Sequence, residues 1–284
     1  MTYYFESVNG FISPRCVGFL LMFLRKSMLS EIFIKFIQKH KLFKLIIFIK
    51  LMALKKISFN QEWYDKLISK TDEKGLLLSK FKELLSDKGY KSCLEIGMGS
   101  SPYFAEKLHV LFEDYTIIEK EKYSGTLPKN VKIIQKKWED TKISKKYDVI
   151  IASHVVYYFD NNKEAIKKMI DSLTEKGILI IVVNGDDLDY GPLKKKFSDL
   201  IKEKYVFTYH KIKDLINNES YVEYTAPSTI LFEDSEDLFN TLKLSFDAYP
   251  EEYLKLKKEI IEYFDKNIQG NEFQINQKII VINK

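Results

Sequence analysis

Apolar positions along this chain alternate between two periods. Over residues 61–85 they recur at helical spacing, first at Trp63, Leu67 and Ile68, then at Leu76, Leu77, Leu78, Phe81, Leu84 and Leu85. Side chains three and four apart share one face of a helix, and Gly75 is expected to divide the run into two helices. Asp87-Lys88-Gly89 then stops the second one, with Gly89 free to take a left-handed conformation. Beyond it, short β-type runs alternate with helical ones. Strands are predicted at Ser92–Ile96, 115–118 ending on Glu119, 131–134, 147–152 and 178–183. A first helix is predicted over 102–111, with Pro102 at an early position where its missing N–H costs least. Another passes through Ala165, Ile166, Met169, Ile170 and Leu173, with Gly177 as its stop. The run 178–183 is continuously apolar, as a strand buried on both faces requires. This alternation predicts an α/β fold on a doubly wound, mostly parallel sheet. Later segments read as helices at 193–205, 212–216, 235–246 and 253–264, and as strands at 221–224 and 274–282.

The 284 residues are 45% hydrophobic and 14% aromatic, enough for a sizeable core. Cys16 and Cys93 fit neither a zinc nor a disulfide pattern and suit a reducing compartment, so a cytoplasmic location is expected. The formal charge of +5 is unevenly placed. Residues 1–51 carry eight basic against two acidic side chains, a balance of +6, while the remaining chain carries 37 against 38. The body of the protein is therefore not a polyanion binder, and no nucleic-acid partner is expected. Within residues 1–51 the apolar stretches are too short or too charged to span a bilayer, which takes about 20 apolar residues. Three readings stay open there: a basic segment making peripheral contact with an anionic membrane, extra helices packed on the domain, or a true start at Met52. The remaining residues, 52–284, are read as one domain, with N-terminal helices over 61–90 and additions to the core over 186–270.

The chemistry centres on residues 92–104, where a strand runs into Gly97-Met98-Gly99 and then a helix. Strand, glycine turn and helix together form the layout of a nucleotide-cofactor site. A dinucleotide fingerprint would need a third glycine where Pro102 stands, and no phosphate loop is present. What remains is Glu95-x-Gly97-x-Gly99, with Ser101 where a third glycine is usual. An ordinary strand-to-helix turn is the plain alternative. The motif resembles the first motif of the class I methyltransferases, which implies S-adenosylmethionine as cofactor, held by Glu95, Gly97, Gly99 and Ser101. It also implies helices ahead of the first strand acting as a lid, and a seven-stranded sheet closed by a late antiparallel hairpin.

Glu119 lies 20 residues beyond Gly99, at the end of the second strand, where a carboxylate can accept both ribose hydroxyls. The alternative is a solvated loop acid beside Lys120 and Glu121. Trp138 follows the third strand, either stacked on adenine, with Glu139 or Asp140 near its amine, or packed in the core. Ser153-His154 is a polar pair ending an apolar strand. Either it lines a cleft, where His154 can hydrogen-bond or deprotonate a substrate nitrogen, or it only satisfies backbone.

His154-Val-Val-Tyr157-Tyr158, the strand leading to Asn184-Gly185, and the following Leu193-Lys-Lys-Lys-Phe197 resemble histamine N-methyltransferase and its relatives over residues 61–284. The resemblance implies a substrate carboxylate at Glu73, a substrate contact at His154 in place of the family's glutamine, and an asparagine contact in the last strand, matched here by Asn276. It implies an aromatic box including Tyr157 and Tyr158, with Asn184 beside it. Ser153 would face the cofactor, and His154 and Tyr157 would be the catalytic pair. The expected protein is a monomeric S-adenosylmethionine-dependent methyltransferase acting, without a metal, on a nitrogen of a small amine or imidazole-type substrate. Alternatives are a membrane-associated lipid or quinone methyltransferase and a non-catalytic cofactor-binding scaffold. An aminopropyl transferase is disfavoured, because it would need further acids where Ser153 and His154 stand.

Overall fold

The structure, a computed structural model, describes residues 59–203 and 209–284. The basic segment 1–51 and its proposed membrane contact lie outside them. Two helices, α1 (Gln61–Lys70) and α2 (Glu73–Leu85), precede β1 (Ser92–Ile96), α3 (Tyr103–Leu108), β2 (Asp114–Glu119), β3 (Val131–Gln135) and β4 (Tyr147–Ser153). There follow α4 (Asn162–Asp171), β5 (Leu173–Asn184), α5 (Tyr190–Ile201), α6 (Tyr209–Leu215) and β6 (Tyr221–Leu231). The helices α7 (Ser235–Thr241), α8 (Pro250–Lys255) and α9 (Lys257–Asn267) lead to the final strand, β7 (Glu272–Asn283).

The seven strands lie in the order β3-β2-β1-β4-β5-β7-β6. The first five pair in parallel, and β7 runs antiparallel to both β5 and β6. The doubly wound α/β architecture expected from the strand–helix alternation is thus the one observed. Side-chain alternation divides the core between the two sheet faces. Leu94 and Ile96 pack with Ala165, Ile166 and Met169 of α4 and Ile212 of α6. Cys93 faces the opposite way, with Leu77 and Phe81 of α2 and Leu108 of α3. A third apolar group joins Leu67 of α1, Phe197 of α5, Phe239 of α7 and Phe273 of β7. Among the described residues no helix is long and apolar enough to cross a membrane.

Two glycines act differently from their sequence reading. The break between α1 and α2 falls at Thr71-Asp72, not at Gly75, which lies in the first turn of α2 with open space where a Cβ would be. The break is fixed from outside: Thr71 bridges Ile230, and Asp72 exchanges bonds with the Thr229 backbone, donating its N–H at 3.3 Å and accepting at Oδ1 at 2.8 Å. Gly177 does not stop α4, which ends at Asp171 with Ser172 as its cap, but sits inside β5 where the pairing with β4 shifts register. A Cβ there would stand 3.0 Å from the Tyr147 carbonyl oxygen, so glycine lets the strands stay close across the irregularity. Strand β6 is also longer than residues 221–224, and the helix expected over 253–264 is two, α8 and α9.

Candidate active site

The strand order reverses between β1 and β4, and ligands of open α/β sheets bind beyond the carboxyl ends of strands at such a point. A cleft of about 260 Å³ opens there. It runs from Glu119 and Trp138 at the ends of β2 and β3, past the glycine turn, to Leu244 and Asp247 on the far side.

The turn is shaped for close approach. Gly97 and Gly99 have φ of +74° and +68°, a region that L side chains rarely adopt. A Cβ on Gly97 would lie 2.7 Å from Val155 Cγ2, and one on Gly99 would lie 2.7 Å from the Tyr64 ring of α1. Glu119 fastens the turn to the neighbouring strand. Its Oε2 accepts from the Met98 N–H at 3.0 Å and its Oε1 from the Glu121 N–H at 2.9 Å. Each oxygen keeps a further lone pair, and the carboxylate lines the cleft. Glu95 also faces the cleft but is fully buried, accepting from the Tyr115 hydroxyl at 2.7 Å. Burial raises its carboxyl to about 7, against the Tyr115 bond and the charge of Lys74, which favour the ionised form. Lys74 stands 5.4 Å from the centres of both the Tyr64 and Tyr103 rings, its own pKa lowered by burial.

Trp138 is 2% exposed, donates its indole N–H to the Ala165 carbonyl at 3.2 Å and carries Lys168 Nζ over its ring at 4.2 Å. It packs in the core and also lines the cleft. Glu139 lines the cleft beside it, and Asp140 does not. Ser101 lies beyond the turn and outside the lining, between Gly99 and the start of α3 at Tyr103.

Ser153, His154 and Val155, at and just beyond the end of β4, line the middle of the cleft. Val155 packs on Gly97, whereas His154 lies beside Glu73. His154 has φ +52° while its N–H donates to the Val182 carbonyl at 3.0 Å, so β5 holds it in a left-handed conformation uncommon for a non-glycine residue. Its Nε2 lies 3.4 Å from Glu73 Oε1, close enough for an ion pair but without hydrogen-bond geometry. Its ring stacks loosely on Tyr157, centres 6.3 Å apart.

Glu73 reaches the cleft because the Thr71-Asp72 break is pinned to β6, which starts α2 at this point. Its Oε2 accepts from Gln277 Nε2 at 3.3 Å. Asn276, expected in this place, is turned away: its carbonyl accepts from the Gly185 N–H at 2.7 Å and its side chain meets Asp187. Successive strand residues face opposite sides, so the side chain aimed at Glu73 belongs to the next residue.

Aromatic rings form the remaining walls. The Asn184 N–H donates to the Tyr157 hydroxyl at 2.8 Å, and the Tyr158 hydroxyl donates to Asp247 Oδ2 at 2.9 Å. Burial pushes both phenols far up, so both stay protonated. Phe59 closes over Tyr64 and Tyr158 at 5.3 and 5.9 Å between centres. Burial raises the Asp247 carboxyl to about 7, against the Tyr158 bond. Sequence reasoning missed Phe59, Tyr64, Tyr190, Asp247 and Gln277, none of which stands in a motif.

The sequence matches a family described as a methyltransferase domain over residues 68–227, more than half of the chain. A comparison with curated proteins finds no match. Among solved structures, the YcgJ protein from Bacillus subtilis is 13% identical, with a TM-score of 0.50 over 73% of this chain and 97% of that one. The N-methyltransferase NodS from Bradyrhizobium japonicum, in complex with S-adenosyl-L-homocysteine, is 11% identical, with a TM-score of 0.46 over 83% and 97%. The plantazolicin methyltransferase BpumL, in complex with the same nucleoside, is 17% identical, with a TM-score of 0.46 over 83% and 96%. The site itself fits a sulfonium nucleoside: the glycine turn lines the open cleft beside the Glu119 carboxylate, whose oxygens each keep an acceptor position. The chain belongs to the methyltransferase-domain family and is an S-adenosylmethionine-dependent methyltransferase.

Proposed function

We propose that this enzyme methylates a nitrogen of a small amine or imidazole-type acceptor, as its likeness to histamine N-methyltransferase implies. The observation that carries the reading is Glu73. Its carboxylate lines the cleft beside His154, just beyond the end of β4, and no lysine or arginine pairs with it among the described residues.

When bound, S-adenosylmethionine supplies an electrophilic methyl group. The Gly97–Gly99 turn would hold its nucleoside, the Glu119 carboxylate would accept from the ribose hydroxyls, and Glu95 and Ser153 line the same cleft. Trp138 walls the adenine end, its N–H already donated to Ala165. Glu73 neutralises a cationic acceptor. An ammonium has no lone pair, so the acceptor nitrogen must lose a proton before it attacks, and His154 is placed beside Glu73 to take it. Tyr157 and Tyr158 orient the acceptor and exclude water, and Asn184 carries the Tyr157 hydroxyl on its backbone N–H.

Labelled methyl donor, offered with a panel of small amines, imidazoles, peptides and lipids and read by product mass, tests the reading. Methylation at nitrogen of a small base is the expected result. Methylation of lipid alone would overturn it.

A further inference from the structure

Two buried polar residues of the sheet take no part in the mechanism above. Gln277 of β7 has no exposed surface and Ser228 of β6 is 1% exposed, and neither lines the cleft. Gln277 Nε2 donates one N–H to Ser228 Oγ at 2.8 Å and the other to Glu73 Oε2 at 3.3 Å. The Ser228 hydroxyl donates to the Ile275 carbonyl at 3.0 Å. The serine proton is thus committed to Ile275, and toward Gln277 the serine oxygen can only accept. Turned over, the amide would set its own oxygen against the serine oxygen and the Glu73 carboxylate, with no proton between them. The observed orientation leaves Gln277 Oε1 buried without a partner among the described residues, a state that most buried polar atoms avoid. The Ser228 bond fixes that choice, and the result is an N–H aimed at Glu73.

The same strand fixes the backbone of Glu73. Its N–H donates to Thr71 Oγ1 at 3.3 Å, Thr71 bridges Ile230, and Asp72 is bonded to Thr229. Residues 228–230 of β6 therefore hold Glu73 at both ends, the backbone through the α1–α2 break and the side chain through Gln277. Of the two carboxylate oxygens, Oε2 is taken by Gln277, and Oε1 is the one 3.4 Å from His154.

We infer that Gln277, set by Ser228, is a positioning residue for the methyl transfer: it holds Glu73 Oε2 so that Oε1 stays beside His154, where the basic nitrogen of the acceptor binds. The inference rests on the amine reading above and deepens it. Neither Gln277 nor Ser228 touches the acceptor. A carboxylate already held in place loses less freedom when a base binds to it. Without the Gln277 N–H, the Glu73 side chain is free to swing Oε1 away from His154. A pair that served only the packing of β6 on β7 would leave acceptor binding unchanged.

The test is a double-mutant cycle on the binding of imidazole, n-butylamine and benzylamine, measured by calorimetry with S-adenosylhomocysteine bound. Gln277→Met keeps the length of the side chain and removes both N–H bonds. Affinity for the probe that binds best should fall about five- to ten-fold, as suits the loss of one hydrogen bond to a charge, with S-adenosylhomocysteine affinity unchanged. In a Glu73→Gln protein the same substitution should change that affinity by less than about two-fold, because the charge it positions is gone. Ser228→Ala, one bond further from Glu73, should lower affinity about two- to three-fold, again only where Glu73 is present. No loss in the wild-type background, or equal losses in the two backgrounds, overturns the inference while leaving the amine reading intact. Failure of all three probes to bind the wild type, with S-adenosylhomocysteine still bound, overturns the amine reading and this inference with it. If Gln277→Met no longer binds S-adenosylhomocysteine, Ser228→Ala in the two backgrounds decides by the same criterion.

Discussion

Glu119 Oε2 and the Met98 backbone N–H meet at 3.0 Å, and this bond ties the glycine turn after β1 to the end of β2. One carboxylate thus shapes the donor side of the cleft and borders it. Glu119→Ala removes the anion and leaves the Met98 N–H unpaired. Hydrogen bonds to a charged group contribute about 1.5–3 kcal/mol, so affinity for S-adenosylmethionine should fall about ten- to hundred-fold in a calorimetric titration. Glu119→Gln, which keeps an oxygen for Met98, should lose less. Wild-type affinity in the alanine variant would rule out the ribose contact.

At Gly97 two penalties are superposed. The φ of +74° disfavours any side chain, and a Cβ would meet Val155 Cγ2 at 2.7 Å. Gly97→Ala should lower stability by about 1–3 kcal/mol, read as an earlier urea midpoint. Adding Val155→Ala should return only the steric part, because the backbone penalty is local. Full recovery in the double variant would show that the conformation carries no strain. Gly97→Arg should abolish donor binding outright.

The donor side was legible because its signals are local. Glycines two apart after an apolar run, and an acid at the end of the next strand, depend on few neighbours, and strands buried on both faces show as unbroken apolar runs such as 178–183. The acceptor side comes from contacts distant in sequence. Gln277 rather than Asn276 meets Glu73 because strand register is set by pairing with β5 and β6, and a step of one residue reverses the face. The α1–α2 break lies at Thr71-Asp72 because β6 holds it there, a partner that helical periodicity does not contain. Asp247 and Tyr64 carry no motif, since each matters only for the surface it closes against.

Glu95 makes stability depend on pH. Burial raises its carboxyl to about 7 in the folded protein, from an ordinary 4.5. Between those values the folded state holds a proton that the unfolded chain has released, so this group's contribution falls as pH rises from about 4.5 to about 7 and is level above. Glu95→Gln keeps an oxygen for the Tyr115 hydroxyl and removes the titration. The variant should match the wild type near about pH 4.5 and exceed it by about 1–3 kcal/mol near pH 8. Urea melts of both proteins at both pH values check this, with Asp247 common to the two and cancelling. A constant difference between the proteins would mean that Glu95 is ionised throughout.

Glu73 and His154 should separate in kinetics although they stand 3.4 Å apart. Glu73→Gln preserves the shape beside Gln277 and removes the charge, so it should act mainly on acceptor KM, raising it about ten-fold. His154→Asn suits a residue at φ +52°, because asparagine tolerates the left-handed region, and it removes the imidazole. If His154 takes the acceptor's proton, kcat should fall about 10²- to 10⁴-fold, and the limb of the kcat/KM pH profile due to imidazole should vanish. A β-branched replacement, His154→Val, should add a stability loss of about 1–2 kcal/mol that the asparagine variant lacks. An unchanged pH profile in His154→Asn, with only KM altered, would make His154 a positioning residue. Deprotonation would then fall to Glu73 within the cleft, or to solvent before the acceptor enters it.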